Sequence, residues 1–132
     1  MLKRLIDSEL EAMRILIVDD SPLLRGIIIR LLRQEIPNLF CREASNSAEA
    51  IDAASAMLPD IILLDLNLPD ASGTQTAHLI REKLPDVRII VISANQSEVL
   101  SIVAKNAAAD GALDKSRIGI DLVPMLKRLC AQ

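Results

Sequence analysis

The stretch Asp60-Ile-Ile-Leu-Leu-Asp65 decides the fold. Four apolar residues run consecutively between two acids. A strand with water on one face alternates apolar with polar residues, whereas a strand covered on both faces does not. Two more runs share the pattern, Arg14-Ile-Leu-Ile-Val18 and Arg88-Ile-Ile-Val-Ile92. Leu39-Phe-Cys-Arg-Glu43 and Asp110-Gly-Ala-Leu-Asp114 carry charges, as edge strands do where one side meets water.

Helix-period segments separate these runs. Ser21 and Pro22 supply an N-cap and a first helical residue, and Leu24, Ile27, Ile28, Leu31 and Leu32 follow as one apolar stripe. Further helices are expected from Ser47 to Met57, Thr74 to Leu84, Gln96 to Ala108 and Gly119 to Cys130. Pro124 is placed near the first turn of the last, where proline is tolerated. Five βα units argue an α/β fold, a doubly wound parallel (βα)5 sheet. Three apolar strands inside, two charged ones outside and right-handed crossovers together give the order 2-1-3-4-5, a flavodoxin-like arrangement. Residues 1–13 read as a leader in which Leu2, Leu5, Ile6, Leu10 and Met13 have the spacing of one helix face, ahead of one domain over residues 14–132.

Composition narrows the function. The chain has 132 residues, one domain's worth, and 51% are hydrophobic. Phe40 is the one aromatic residue, which argues against base stacking on single-stranded nucleic acid. A net charge of −3 argues against gripping a phosphate backbone. Cys41 and Cys130 form no CxxC motif, so a disulfide framework or zinc site is not expected and a cytoplasmic location is. No apolar run has the length of a membrane span.

Polar residues collect where the apolar runs stop: Asp19 and Asp20 after the first, Asp65 after the third, Ser93 after the fourth and Lys115 after the fifth. Ligands of open α/β sheets bind outside the carboxyl ends of the strands, at the switch point, here between strands 1 and 3. Three carboxylates meeting there repel one another unless a cation neutralises them, and oxygen ligands favour Mg2+. An ammonium and a hydroxyl beside such a cation suit the oxygens of a phosphoryl group. Asp65, alone at its strand end, is the candidate nucleophile.

The motifs Ile17-Val-Asp-Asp-Ser-Pro22, Asp60-Ile-Ile-Leu-Leu-Asp-Leu-Asn-Leu-Pro-Asp-Ala-Ser-Gly73, Ile90-Val-Ile-Ser-Ala94 and Ala109-Asp-Gly-Ala-Leu-Asp-Lys115 resemble the receiver domain of two-component response regulators. The resemblance covers Arg14 to Cys130. It implies that Asp65 is the phosphoacceptor and that Asp19, Asp20, Asp65 and the backbone carbonyl of Asn67 hold Mg2+. It implies that Ser93 and Lys115 bind the phosphoryl group, and that Pro69 and Gly73 shape the loop after the acceptor. The implied partners are a sensor histidine kinase or phosphotransfer protein and a downstream effector or appended output domain. Neither nucleic acid nor membrane is a partner of this domain itself. The implied chemistry is the domain's own aspartyl phosphorylation and dephosphorylation, without enzymatic turnover of another substrate.

Two positions depart from the family pattern. Ala112 stands where an aromatic residue is usual, so coupled movement of a buried ring with Ser93 is not available. Ser116 stands where a proline often follows the lysine, which leaves the peptide geometry there open. The family's usual output and dimerisation face, formed by the fourth helix, fifth strand and fifth helix, is the candidate site of a homodimer. Its Val99, Ile102 and Val103, with alanines at 104 and 107–109, read first as core. His78, on the third helix, reads as a solvated or half-buried helix side chain. Two other functions remain open: a phosphorylation-independent interaction module, suggested by Ala112, and a Mg2+-dependent phosphohydrolase, disfavoured by Asn67 where a second aspartate is common.

Overall fold

The computed structural model describes residues 13–97 and 108–131. Strands β1 (Arg14–Val18), β2 (Phe40–Ala44), β3 (Ile61–Asp65), β4 (Arg88–Ser93) and β5 (Gly111–Asp114) form one sheet in the order β2-β1-β3-β4-β5. Every pairing is parallel. Helices α1 (Pro22–Glu35), α2 (Ser47–Met57), α3 (Gly73–Lys83) and α4 (Ile118–Cys130) connect and close it, α4 following a short 3-10 turn at Lys115–Arg117. The helix expected over Gln96–Ala108 lies almost entirely outside the described residues, and so does its share of the expected homodimer face; residues 1–12 of the leader lie outside them as well. α4 is therefore the fifth helix of the expected pattern. Among the described residues no helix is long and apolar enough to cross a membrane.

The consecutive apolar runs behave as a two-faced sheet requires. Ile61 and Leu63 of β3 point into one layer with Ile28, Leu32, Leu122 and Leu126. Ile62 and Leu64 point into the other with Ala53, Met57, Ala77 and Ile80. All five residues of β3 are buried, whereas β2, at the edge, buries Ala44 and leaves Phe40 half exposed. Met13 is also buried and accepts a hydrogen bond from the Phe40 amide.

Local signals set the helix ends. The Ser21 hydroxyl accepts from the Leu24 amide, and Pro22 follows as the first helical residue. Asn46 caps α2 and Ser72 caps α3 in the same manner. Leu58 closes α2 in a left-handed conformation (φ 49°) ahead of Pro59.

Some details differ from expectation. β3 begins and ends one residue later than the apolar run suggests, and it takes in Asp65, which pairs with Ile92 of β4, while Asp60 precedes it and accepts from the Arg14 amide through its carboxylate. Ile27 is 45% exposed, since α1 buries only the Ile28–Leu32 side against α4. Pro124 is the seventh residue of α4, in its interior, and lies on the exposed side, where water can take the carbonyl that its missing N–H leaves unpaired. Among the described residues no peptide bond is cis, so Lys115–Ser116 is trans.

Two stability outcomes follow. Ile28→Ala will cost about 2–5 kcal/mol in urea unfolding, whereas Ile27→Ala will stay within about 1 kcal/mol of wild type. A Cβ on Gly73 would stand 2.3 Å from the Asp65 carbonyl oxygen and 2.5 Å from the Leu66 Cα. Both are backbone atoms, so Gly73→Ala will destabilise by about 1–3 kcal/mol as the loop after β3 is pushed away.

Candidate functional site

The carboxyl ends of β1, β3, β4 and β5 converge because the register aligns them. Val18 pairs with Leu64, Asp65 with Ile92, and Ser93 with Asp114. The residues that leave these strands therefore open onto one edge of the sheet. Asp19, Asp20 and Asp65 each bring a carboxylate oxygen within 4.8 Å of the others. Asp19 and Asp65 are buried, whereas Asp20 is exposed. Lys115 reaches over from the end of β5, its Nζ 3.0 Å from Asp19 Oδ2 and 3.1 Å from Asp65 Oδ2.

Each carboxylate is held differently. Asp19 Oδ1 accepts from the Ser21 amide at 2.8 Å. Its backbone carbonyl accepts from the Arg25 guanidinium, which also pairs with Glu43 at 3.0 Å. Asp65 Oδ1 accepts from the Asn67 amide at 3.0 Å and Oδ2 from Lys115 Nζ. Burial pushes the Asp65 carboxyl above the usual range, and the Asn67 amide and Lys115 pull it part of the way back. Burial opposes the charge on Lys115, but the close contacts with the Asp19 and Asp65 carboxylates outweigh it and hold its pKa above the ordinary value.

One oxygen is left over. Asp19 Oδ2 is buried and meets Lys115 as an ion contact, without an aligned hydrogen bond. A single ammonium faces three carboxylates, so the cluster retains excess negative charge and an unused buried lone pair. Hard oxygen donors, an exposed third acid and this orphaned atom fit a divalent cation with open positions for water and a further ligand.

Ser93 is buried at the end of the neighbouring strand, its hydroxyl accepting from the Asn95 amide at 3.0 Å. Asn67 is exposed immediately beyond β3, and an antiparallel bridge between Asn67 and Ser72 closes the loop that contains Pro69. Gly73 donates to the Leu66 carbonyl at 2.9 Å, close against the backbone that leaves β3. All the residues anticipated for the site are thus at this edge of the sheet. His78, by contrast, is exposed on α3, away from the strand ends.

Two contributors escape sequence reasoning. Arg25 holds the Asp19 carbonyl, and Asp70 accepts from the amides of Ser47 and Ala48. Neither sits at a strand end, the position that marks the other site residues. A cleft of about 700 Å³ lies at the opposite, amino end of the sheet, where Met13, Leu58, Leu84 and Cys130 line it together with Asp60, Lys83, Asp86 and Arg88.

Comparison with known proteins agrees with this geometry. The family model for the response regulator receiver domain matches residues 15–127. The nitrate/nitrite response regulator protein NarL of Escherichia coli is 36% identical over 124 residues, covering 94% of this chain and 57% of that protein. The chain thus spans little more than half the length of that relative. Among solved structures, a LuxR-family two-component response regulator from an Aurantimonas species superposes with a TM-score of 0.80 at 30% identity, over 90% of this chain and 85% of that one. The response regulator TrrA of Thermotoga maritima, solved in complex with Mg2+ and BeF, superposes with a TM-score of 0.78 at 31% identity, over 89% of this chain and 98% of that one. With its 2-1-3-4-5 sheet and its acids gathered at one edge, the chain belongs to the response regulator receiver domain family, whose members switch by phosphorylation.

Proposed function

We propose that this domain accepts a phosphoryl group on Asp65, from a phosphohistidine of a sensor kinase or phosphotransfer protein, in a Mg2+-dependent reaction. The observation that carries the reading is the meeting of Asp19, Asp20, Asp65 and Lys115 within one small volume. Mg2+, held by Asp19, Asp20, Asp65 and the Asn67 carbonyl, would supply positive charge to the transferring group.

The protein's own groups account for the rest. Burial makes the Asp65 carboxylate more basic, hence a better nucleophile, while the Asn67 amide and Lys115 offset part of that rise. One Asp65 oxygen attacks phosphorus as the P–N bond to the donor imidazole breaks, and the nitrogen leaves with the bonding pair. Lys115 then exchanges part of its carboxylate pairing for phosphoryl oxygens, and Ser93 supplies a hydroxyl donor from the adjacent strand. Hydrolysis of the acyl phosphate by water resets the domain. This self-directed chemistry is its only catalysis in the reading. A cytoplasmic location suits such a donor, and two cysteines, Cys41 and Cys130, that are not joined in a disulfide suit a reducing compartment. The output passes to an effector or appended domain, with the face beyond β5 as the place for a homodimer. Residues 14–132 constitute the receiver in this scheme and residues 1–13 its leader.

Incubation with acetyl phosphate and Mg2+ will add the mass of one phosphoryl group to the wild type. Chelation of the metal or Asp65→Asn will abolish it. Equal labelling of Asp65→Asn and wild type would refute the assignment. Lys115→Ala will slow labelling about 10²-fold, in the range expected for losing one preorganised charge partner.

A further inference from the structure

The loop after β3 is tied to a helix it does not belong to. Asp70 Oδ1 accepts from the Ser47 amide at 2.7 Å and Oδ2 from the Ala48 amide at 3.0 Å. These are the first two N–H groups of α2, which have no partner within the helix. We propose that Asp70 is a positioning residue for the metal site, clamping the loop that contains Asn67 to the N-terminus of α2. This inference rests on the functional reading above and assigns a role to a residue outside the set that touches the phosphoryl group or the metal.

α2 does not depend on Asp70 for its own cap. The Asn46 side chain accepts from Glu49 at 2.8 Å, and the Asn46 carbonyl accepts from Ala50 at 3.0 Å. Ser45 adds a hydrogen bond from its hydroxyl to the Glu49 carboxylate. The Asp70 contact is instead a two-pronged, charge-assisted link across 22 and 23 residues of sequence. A negative charge at the positive end of the helix strengthens it. These two amides hold the Asp70 carboxyl below the usual carboxylate range.

The link fixes what the rest of the loop leaves free. The base of the loop is closed by the Asn67–Ser72 bridge and by the Gly73 amide on the Leu66 carbonyl. A buried hydroxyl pair, Ser47 with Thr76 at 2.7 Å, ties the start of α2 to α3 beside it. Asp70 anchors the tip to the same point. With base and tip both pinned, the peptide after Asn67 has one orientation, and its carbonyl is held ready as a ligand instead of being ordered when the cation arrives. The energetic benefit therefore appears as cation affinity, as it does for groups that orient the ligands of a metal.

Titration of wild type with Mg2+ alone, followed by amide NMR shifts and without phosphodonor, reads this directly. Asp70→Ala will raise the half-saturating Mg2+ concentration about tenfold. Asp70→Asn will fall between it and wild type, because its amide group has one acceptor oxygen. Asn46→Ala, which removes the helix's own cap, will lower the melting temperature and leave the Mg2+ midpoint unchanged. At saturating Mg2+ Asp70→Ala will accept phosphoryl from acetyl phosphate at the wild-type rate. The inference is overturned if Asp70→Ala and Asp70→Asn bind Mg2+ like wild type, or if Asn46→Ala shifts the midpoint as far as Asp70→Ala. A wild type that binds no Mg2+ would instead overturn the functional reading on which this one stands.

Discussion

The repulsion among Asp19, Asp20 and Asp65 is the constraint on which the site depends. Three carboxylates are held with oxygens within 4.8 Å, two of them buried, and one ammonium stands among them. A fold maximising stability would not gather them. The gathering is possible because the acids stand at the ends of β1 and β3, whose apolar residues are firmly buried. The apolar layers on both faces of the sheet hold the backbone, and the backbone holds the acids together. The strain is relieved by cationic groups, so the site has a built-in demand for positive charge.

The same logic explains the framework around the acids. Arg25 grips the Asp19 carbonyl and reaches Glu43 on the neighbouring edge strand. The Asn67 amide orients Asp65 from within its own loop, and Gly73 lets that loop pass directly over the backbone of β3. Polar groups at the sheet edge are thus backed by second contacts reaching into α1, α2 and β2.

Ala112 changes what the rest of the domain can do with an event at this edge. The residue is buried in β5, in the layer that also includes Val91 and the partly buried Ala108 and Ala109. A methyl group has no rotamers, so this position offers no large side chain to swing between inside and outside. Lys115–Ser116 is a trans peptide leading into a 3-10 turn that Asp114 caps through the Ser116 amide, which anchors the lysine's backbone locally.

Much of this was legible in the residues themselves. Unbroken apolar runs such as Ile61–Leu64 mark buried parallel strands, charged runs mark the edges, and Ser21-Pro22 marks the start of α1, because these properties depend on local chain chemistry and on exposure to one or two layers. The acids at 19, 20 and 65 were legible for the same reason, since strand ends are where an α/β sheet presents its ligands. Exposure of Ile27 and the interior place of Pro124 were not, because both depend on how a helix is rotated against its neighbours and where its first turn begins. The sequence by itself determined the strand order and the identity of the charged groups, through periodicity and the chemistry of each side chain. Only the tertiary structure decided which of those charges face one another, that Asp19 is buried while Asp20 is not, and that Asp70 ends on a helix begun more than twenty residues earlier, because such pairings arise from the docking of distant segments and leave no periodic trace along the chain.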